Sequence, residues 1–173
     1  YQYYVDEGEG WEITPNVSIR TAVMEEEWDW ISIQHGTGDG SFYTKKECYV
    51  NLQPLVKYVR ELAWDGVKIA FNMAWSGEKG KKHHEIEYYD GDHQRFFENI
   101  VRTTKEAVAT VPEIDIISPT GVAIQNARTS KIQTLTRDGF HLTMDAGRYI
   151  ASLTFLKALT GMDIEPIQWV PQG

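Results

Sequence analysis

Asp138 and His141 are the residues whose types and spacing are best suited to chemistry, standing three apart in LTRDGFHL (residues 135–142). An imidazole can take a proton from a hydroxyl when a carboxylate holds its other ring nitrogen. That carboxylate fixes the tautomer and stabilises the cation that forms. Two such groups on one short loop can pair without help from the rest of the chain. Spacing alone leaves a second reading open, in which Asp138 caps a turn and His141 is a packed surface residue. Trp75 follows a β-prone run, at the end of a strand where α/β folds bind ligands. Its ring could stack on a sugar or pack against core or lid. His83, His84 and His93 lie near Asp90 and Asp92, but their spacing matches no strong ligand pattern, so no metal and no other cofactor is expected. The single Cys48 excludes an internal disulfide framework and has no CxxC partner.

The hydrophobic pattern supplies the elements that would position these groups. WDWISIQ (28–34), VKIAFNM (67–73) and IDII (114–117) read as buried parallel strands. A helix is predicted over 51–64 from the stripe Leu52, Leu55, Val56, Val59 and Leu62. A second helix carries Phe96, Phe97, Ile100, Val101, Thr104 and Val108, with Pro112 ending the element. Asn16 and Ser18 are candidate caps for a helix carrying Ile19, Ala22, Val23 and Glu26. Residues 1–5 read as a short edge strand, 74–90 as a long polar loop and 121–128 as a short helix. The last helix, 145–160, has the stripe Ala146, Tyr149, Ile150, Leu153 and Leu156, and Gly161 is suited to end it in the left-handed conformation. Strands alternating with helices over 173 residues predict a single α/β domain spanning 1–173 with a mostly parallel sheet and no internal repeat.

Composition narrows the function classes. A chain 42% hydrophobic and 24% charged is globular rather than disordered. A net charge of −8 argues against a nucleic-acid partner, which would require a basic face. The basic run at 79–84 leads into Glu85, Glu87, Asp90 and Asp92 and reads as a solvated loop. No apolar run approaches the roughly 20 residues of a membrane-spanning helix, so no membrane partner is expected. The chain opens on Tyr1-Gln2-Tyr3-Tyr4 without a signal-peptide pattern, leaving the compartment unassigned. A leader in an upstream segment would make it periplasmic or extracellular.

The blocks around the pair resemble SGNH (GDSL-like) hydrolases, in a branch of the superfamily common in gut Bacteroidetes. The resemblance is carried by LTRDGFHL, GRYIA (147–151), the stretch 153–161, PTGVAIQNART (119–129) and WDWISIQ, in the same order from about Tyr1 to Gly161. It implies a three-layer α/β/α sandwich, ester-hydrolase chemistry, and catalytic roles for His141 and Asp138. It also puts Gln125, Asn126 and Arg128 near the site, as substrate contacts or as partners of helix-end backbone groups.

Two departures accompany the resemblance. The family's G-D-S-like nucleophile block has no counterpart in residues 1–30, where Ser18 sits in a helix without a preceding Gly-Asp. The nucleophile is therefore expected outside this chain, about fifty or more residues upstream by the size of a strand–loop–helix unit. The sheet is expected to lack its first strand, leaving residues 1–5 to pair with 28–34 or to lie elsewhere. The family's Asn block aligns with Gly36-Thr37-Gly38-Asp39, so Gly38 occupies the asparagine position. Gln34, or a backbone N–H around Gly36 and Gly38, would then serve as oxyanion donor. The same loop reads equally well as a plain strand-to-helix connection.

Two functions stand at this point. One is hydrolysis of a small-molecule or carbohydrate acyl ester, with the Asp-His pair in this chain and the serine outside it. The other is a non-catalytic ligand- or carbohydrate-binding domain on the same scaffold. A sheet missing a strand would also offer an edge to a second copy of the chain.

Overall fold

The described residues of a computed structural model are 2–6, 10–34, 51–81, 84–132 and 134–168. They fold in the order β1 (Gln2–Asp6), β2 (Trp11–Pro15), α1 (Ile19–Met24), β3 (Trp30–Ile33), α2 (Leu52–Leu62), β4 (Lys68–Asn72), α3 (His84–Tyr88), α4 (His93–Val108), β5 (Ile116–Ser118), α5 (Thr120–Ala127) and α6 (Ala146–Thr160). Strands β3, β4 and β5 form a parallel sheet with β4 in the centre. Ile69, Ala70 and Phe71 of β4 are at most 2% exposed, the continuous apolar run of a strand covered on both faces. Register sets Ile33 beside Phe71 and Phe71 beside Ile117. With the two-residue period of a strand, Ile31, Ile33, Ile69, Phe71 and Ile117 share one face.

Helices bury their apolar stripes against this sheet. Leu52, Val56 and Val59 recur along one side of α2 and are 0 to 3% exposed, joining Val23 of α1 and Ala107 of α4 over Ile69 and Phe71. Asp92 caps α4 by accepting from the backbone N–H groups of Gln94 and Arg95, both at 3.0 Å. Helix α6 packs on β5 and α5 and builds a separate cluster around Ile124, Leu135 and Leu142. The result is the layered α/β arrangement that the alternating pattern predicts. Gly161 closes α6 at φ 69°, as expected.

Several local expectations are corrected. Residues 2–6 take the second of their two expected courses and lie outside the parallel sheet, so they are not an edge strand of it. They pair antiparallel with Trp11–Pro15, a strand not foreseen, and β3 has a described neighbour only on its β4 side. Asn16 adopts a left-handed turn at φ 62°, and Ser18 alone caps α1, its hydroxyl accepting from Thr21 N–H at 3.0 Å. The polar stretch 74–90 contains α3, because Ile86 and Tyr89 lie three apart and are both buried. Tyr89 stacks on Phe96 with ring centroids 5.0 Å apart, and burial pushes its hydroxyl up to about 12. In α6 only Gly147 is buried, while Ile150, Leu153 and Leu156 stay half-exposed. Three strands are described in this sheet, about 10 Å across at roughly 4.8 Å spacing, and they leave that stripe partly uncovered. Gly36, Gly38 and Cys48 lie outside the described residues, as does His83.

Candidate active site

Parallel strands deliver their carboxyl ends to one edge, where α/β sheets bind ligands. Asn72 ends β4, Ser118 ends β5 and Gln34 follows β3. They form a polar chain. Asn72 Nδ2 donates to Gln34 Oε1 at 2.7 Å, and the Thr120 hydroxyl donates to Asn72 Oδ1 at 2.6 Å. Ser118 and Thr120, 0% and 1% exposed, join hydroxyls at 3.1 Å. The hydroxyl on Asn72 Oδ1 obliges its amide nitrogen to face Gln34. Gln34 therefore spends its carbonyl on Asn72 and keeps its NH2 as a donor. Asn72 is marked by the sequence only as a strand end, and Thr120 only as part of the stretch 119–129.

The loop before α6 is a tight hairpin. Thr136 bridges Leu142, Arg137 N–H donates to His141 O at 2.8 Å, and Thr143 N–H donates to Leu135 O at 2.9 Å. Buried Leu135 and Leu142 anchor its base. Asp138 uses both carboxylate oxygens within the turn. Oδ1 accepts the backbone N–H of His141 at 2.7 Å and of Phe140 at 3.0 Å, while Oδ2 meets His141 Nδ1 at 2.6 Å. These bonds, with the His141 N–H the largest contributor and the ring next, hold the carboxyl at about 2. An ionised carboxylate can only accept, so Nδ1 is the donor to it, and in the neutral imidazole Nε2 then carries the lone pair. Gly139 makes the turn possible at φ +94°, and a Cβ there would lie 2.5 Å from Lys81 Cβ.

The segment after β4 grips this hairpin. Trp75 Nε1–H donates to Phe140 O at 2.7 Å, and Glu78 N–H donates to Gly139 O at 2.7 Å. The Glu78 carboxylate accepts from both the backbone N–H and the hydroxyl of Thr136. Behind it lies Arg128, whose guanidinium donates to Ser76 Oγ at 2.8 Å, Ser76 O at 2.7 Å and Gln125 Oε1 at 2.9 Å. Burial lowers the Arg128 pKa and the Glu78 charge opposes that fall. Gly121 lets α5 approach the same segment, since a Cβ there would lie 2.0 Å from Ala74 O.

Gln34, Asn72, Trp75 and His141 line a cleft of about 310 Å³, with Arg137 and Arg148 also on its walls. Of the sequence candidates, the fold thus brings Gln34, Trp75 and His141 together, with Asp138 directly behind His141. Gln125 and Arg128 belong to the clamp rather than to the cleft wall. Asn126 contributes its backbone carbonyl to Thr129 at the end of α5, at 2.7 Å to the hydroxyl. Ser152 of α6 also reaches the cleft, but among the described residues no hydroxyl hydrogen-bonds to the His141 ring. Asp92 is used as a helix cap and Asp90 pairs with Arg95 at 3.7 Å. Among the described residues no cluster of His, Cys, Asp and Glu is arranged to hold a metal.

A crystal structure of a DUF4886 family protein from Bacteroides uniformis matches with a TM-score of 0.90 and 32% identity, covering 100% of this chain and 66% of that one. This chain therefore spans just under two thirds of that relative. A candidate SGNH hydrolase from Slackia heliotrinireducens matches at TM-score 0.63 and 16% identity, over 81% of this chain and 70% of that one. An acetylxylan esterase from Geobacillus stearothermophilus matches at TM-score 0.51 and 18% identity, over 87% and 65%. The α/β/α fold is that of SGNH hydrolases. No match is found among curated proteins. The profile of DUF4886, a domain of unknown function, matches residues 2–173, and the chain belongs to that family.

Proposed function

We propose that this chain is the acid–base half of an SGNH-type serine ester hydrolase. His141 is the general base and Asp138 orients it. The serine comes from outside these 173 residues. The observation that carries the reading is Asp138 Oδ2 at 2.6 Å from His141 Nδ1, with Oδ1 locked to the loop backbone. In the reaction Nε2 takes the serine proton as Oγ adds to the ester carbonyl. The cation then gives that proton to the departing alcohol, and water repeats the sequence on the acyl-enzyme. Negative charge on the carbonyl oxygen would be met by the Gln34 NH2, in place of the missing asparagine; Gly36 and Gly38, the alternative donors, lie outside the described residues. The likeness to an acetylxylan esterase supports an acyl ester on a carbohydrate or a small molecule as substrate.

The binder reading is favoured by one observation, the lack of a described hydroxyl at His141. Turnover of 4-nitrophenyl acetate separates the two. A protein extended upstream through a strand and a Gly-Asp-Ser-like turn should turn it over, and His141→Ala should abolish that rate. The 173 residues alone should give no His141-dependent rate. Such a rate from the isolated chain would refute an external nucleophile. An extended protein indifferent to His141→Ala would refute the base.

A further inference from the structure

Arg137 and Arg148 line the cleft beside His141, and neither has a carboxylate partner among the described residues. Among the described residues no acidic side chain lines that cleft, although the chain carries 25 acidic against 17 basic residues. The described lining is thus opposite in sign to the chain as a whole. Asp138, next to Arg137 in sequence, has both oxygens engaged by its own loop, and Asp145, three residues before Arg148, caps α6 by accepting from Ala146 N–H at 2.6 Å. Arg148 stands in the first turn of α6, where a cation opposes the helix dipole, so helix stability does not account for it. Arg137 is exposed within the hairpin, where its backbone and not its side chain holds the turn.

We infer that the cleft takes an ester carrying a carboxylate, held by Arg137 and Arg148 while the ester group lies against His141. This rests on the ester-hydrolase reading above and names its substrate class. Guanidinium is suited to the task because its fork matches a carboxylate with two parallel hydrogen bonds. A cleft of about 310 Å³ admits a small acyl group or one sugar unit.

Binding to the 173-residue chain tests the inference without requiring turnover. Monomethyl succinate and dimethyl succinate share a skeleton and differ in one negative charge on the acyl side. Acetylated methyl glucuronoside and acetylated methyl glucoside make the same comparison on the alcohol side. Calorimetry, with the His141 ring resonances as a local reporter, should give the charged member of one pair about tenfold tighter binding at low salt, weakening as salt rises. Arg137→Gln and Arg148→Gln should each reduce that preference, and the double variant should remove it. Equal binding within both pairs, or a preference that survives the double variant, overturns the inference. Charged-ligand preference in a protein that never hydrolyses 4-nitrophenyl acetate supports the anion site and counts against the hydrolase reading alone.

Discussion

Asp138→Asn isolates the orienting carboxylate with little else disturbed. Of the three contacts Asp138 accepts, the two on Oδ1 come from the backbone N–H groups of Phe140 and His141, at 3.0 and 2.7 Å. An asparagine oxygen can still accept both, so the turn should keep its shape. The third contact, His141 Nδ1 at 2.6 Å from Oδ2, changes sense. An amide NH2 there can only donate, which makes Nδ1 the acceptor and moves the proton to Nε2. The nitrogen that must accept the serine proton is then occupied. Removing the orienting carboxylate of a catalytic triad in this manner lowers kcat by about 10^4. Two assays read the change. Long-range proton–nitrogen correlation spectra of His141, taken where the imidazole is neutral, should show Nδ1–H in the native chain and Nε2–H in the variant. In the extended protein, kcat for 4-nitrophenyl acetate should fall by about 10^4 with KM nearly unchanged. A native ring already protonated on Nε2, or a tautomer indifferent to Asp138→Asn, would refute the argument.

Three further outcomes follow from the same geometry. In the extended protein Gln34→Ala should lower kcat by about 10^2 to 10^3, the usual effect of losing one oxyanion donor, and Asn72→Asp should share part of that loss because it cannot donate to Gln34. Gly139→Ala should destabilise the chain by about 1–3 kcal/mol in urea unfolding, since the turn holds φ +94° and a new Cβ would meet Lys81 Cβ at 2.5 Å. The Asp138 carboxyl, held at about 2 against roughly 3.9 in an unfolded chain, lends stability that is complete above about pH 4 and is lost as pH falls through 2. Its carboxyl carbon shift should therefore stay that of a carboxylate down to about pH 3, and a midpoint near 4 would contradict the observed bonding.

The parallel core was legible because its signal is local. Runs of four to seven mostly apolar residues between turn signals could be little else than β3, β4 and β5, and the stripes of α2 and α4 recur at helical spacing. Helix α3 was missed because its two anchors, Ile86 and Tyr89, are surrounded by charge that dominates the composition of the segment. The Asp138–His141 pair could be read because both groups lie on one turn, and Asp138-Gly139 is itself a turn dipeptide. What holds that turn could not. Trp75 and Glu78 are about sixty residues away in sequence, and the benefit of their contacts depends on the path of two loops. Arg137 and Arg148 escaped for a different reason. An arginine acquires meaning when its neighbours are known, and here the informative fact is that no described acidic group shares the cleft with it.

The arrangement of the anchors bears on how such a half-site can be ordered before a nucleophile arrives. Trp75 and Glu78 both belong to the segment leaving β4, and they fix the hairpin at Phe140, Gly139 and Thr136. Asn72, the last residue of β4, also orients the Gln34 amide. The base and the candidate oxyanion donor are thus both tied to the buried strand β4 and the segment that leaves it, while Leu135 and Leu142 seat the base of the hairpin against α6. Orientation of this kind is what converts an encounter into a reaction of effectively lower order. Its foundation is Arg128, whose hydrogen bonds to Ser76 and Gln125 stiffen the segment behind Glu78. Loss of the Glu78 carboxylate would release Thr136 and leave a buried guanidinium with less opposing charge. The base would then drift relative to Gln34 even with Asp138 and His141 still paired.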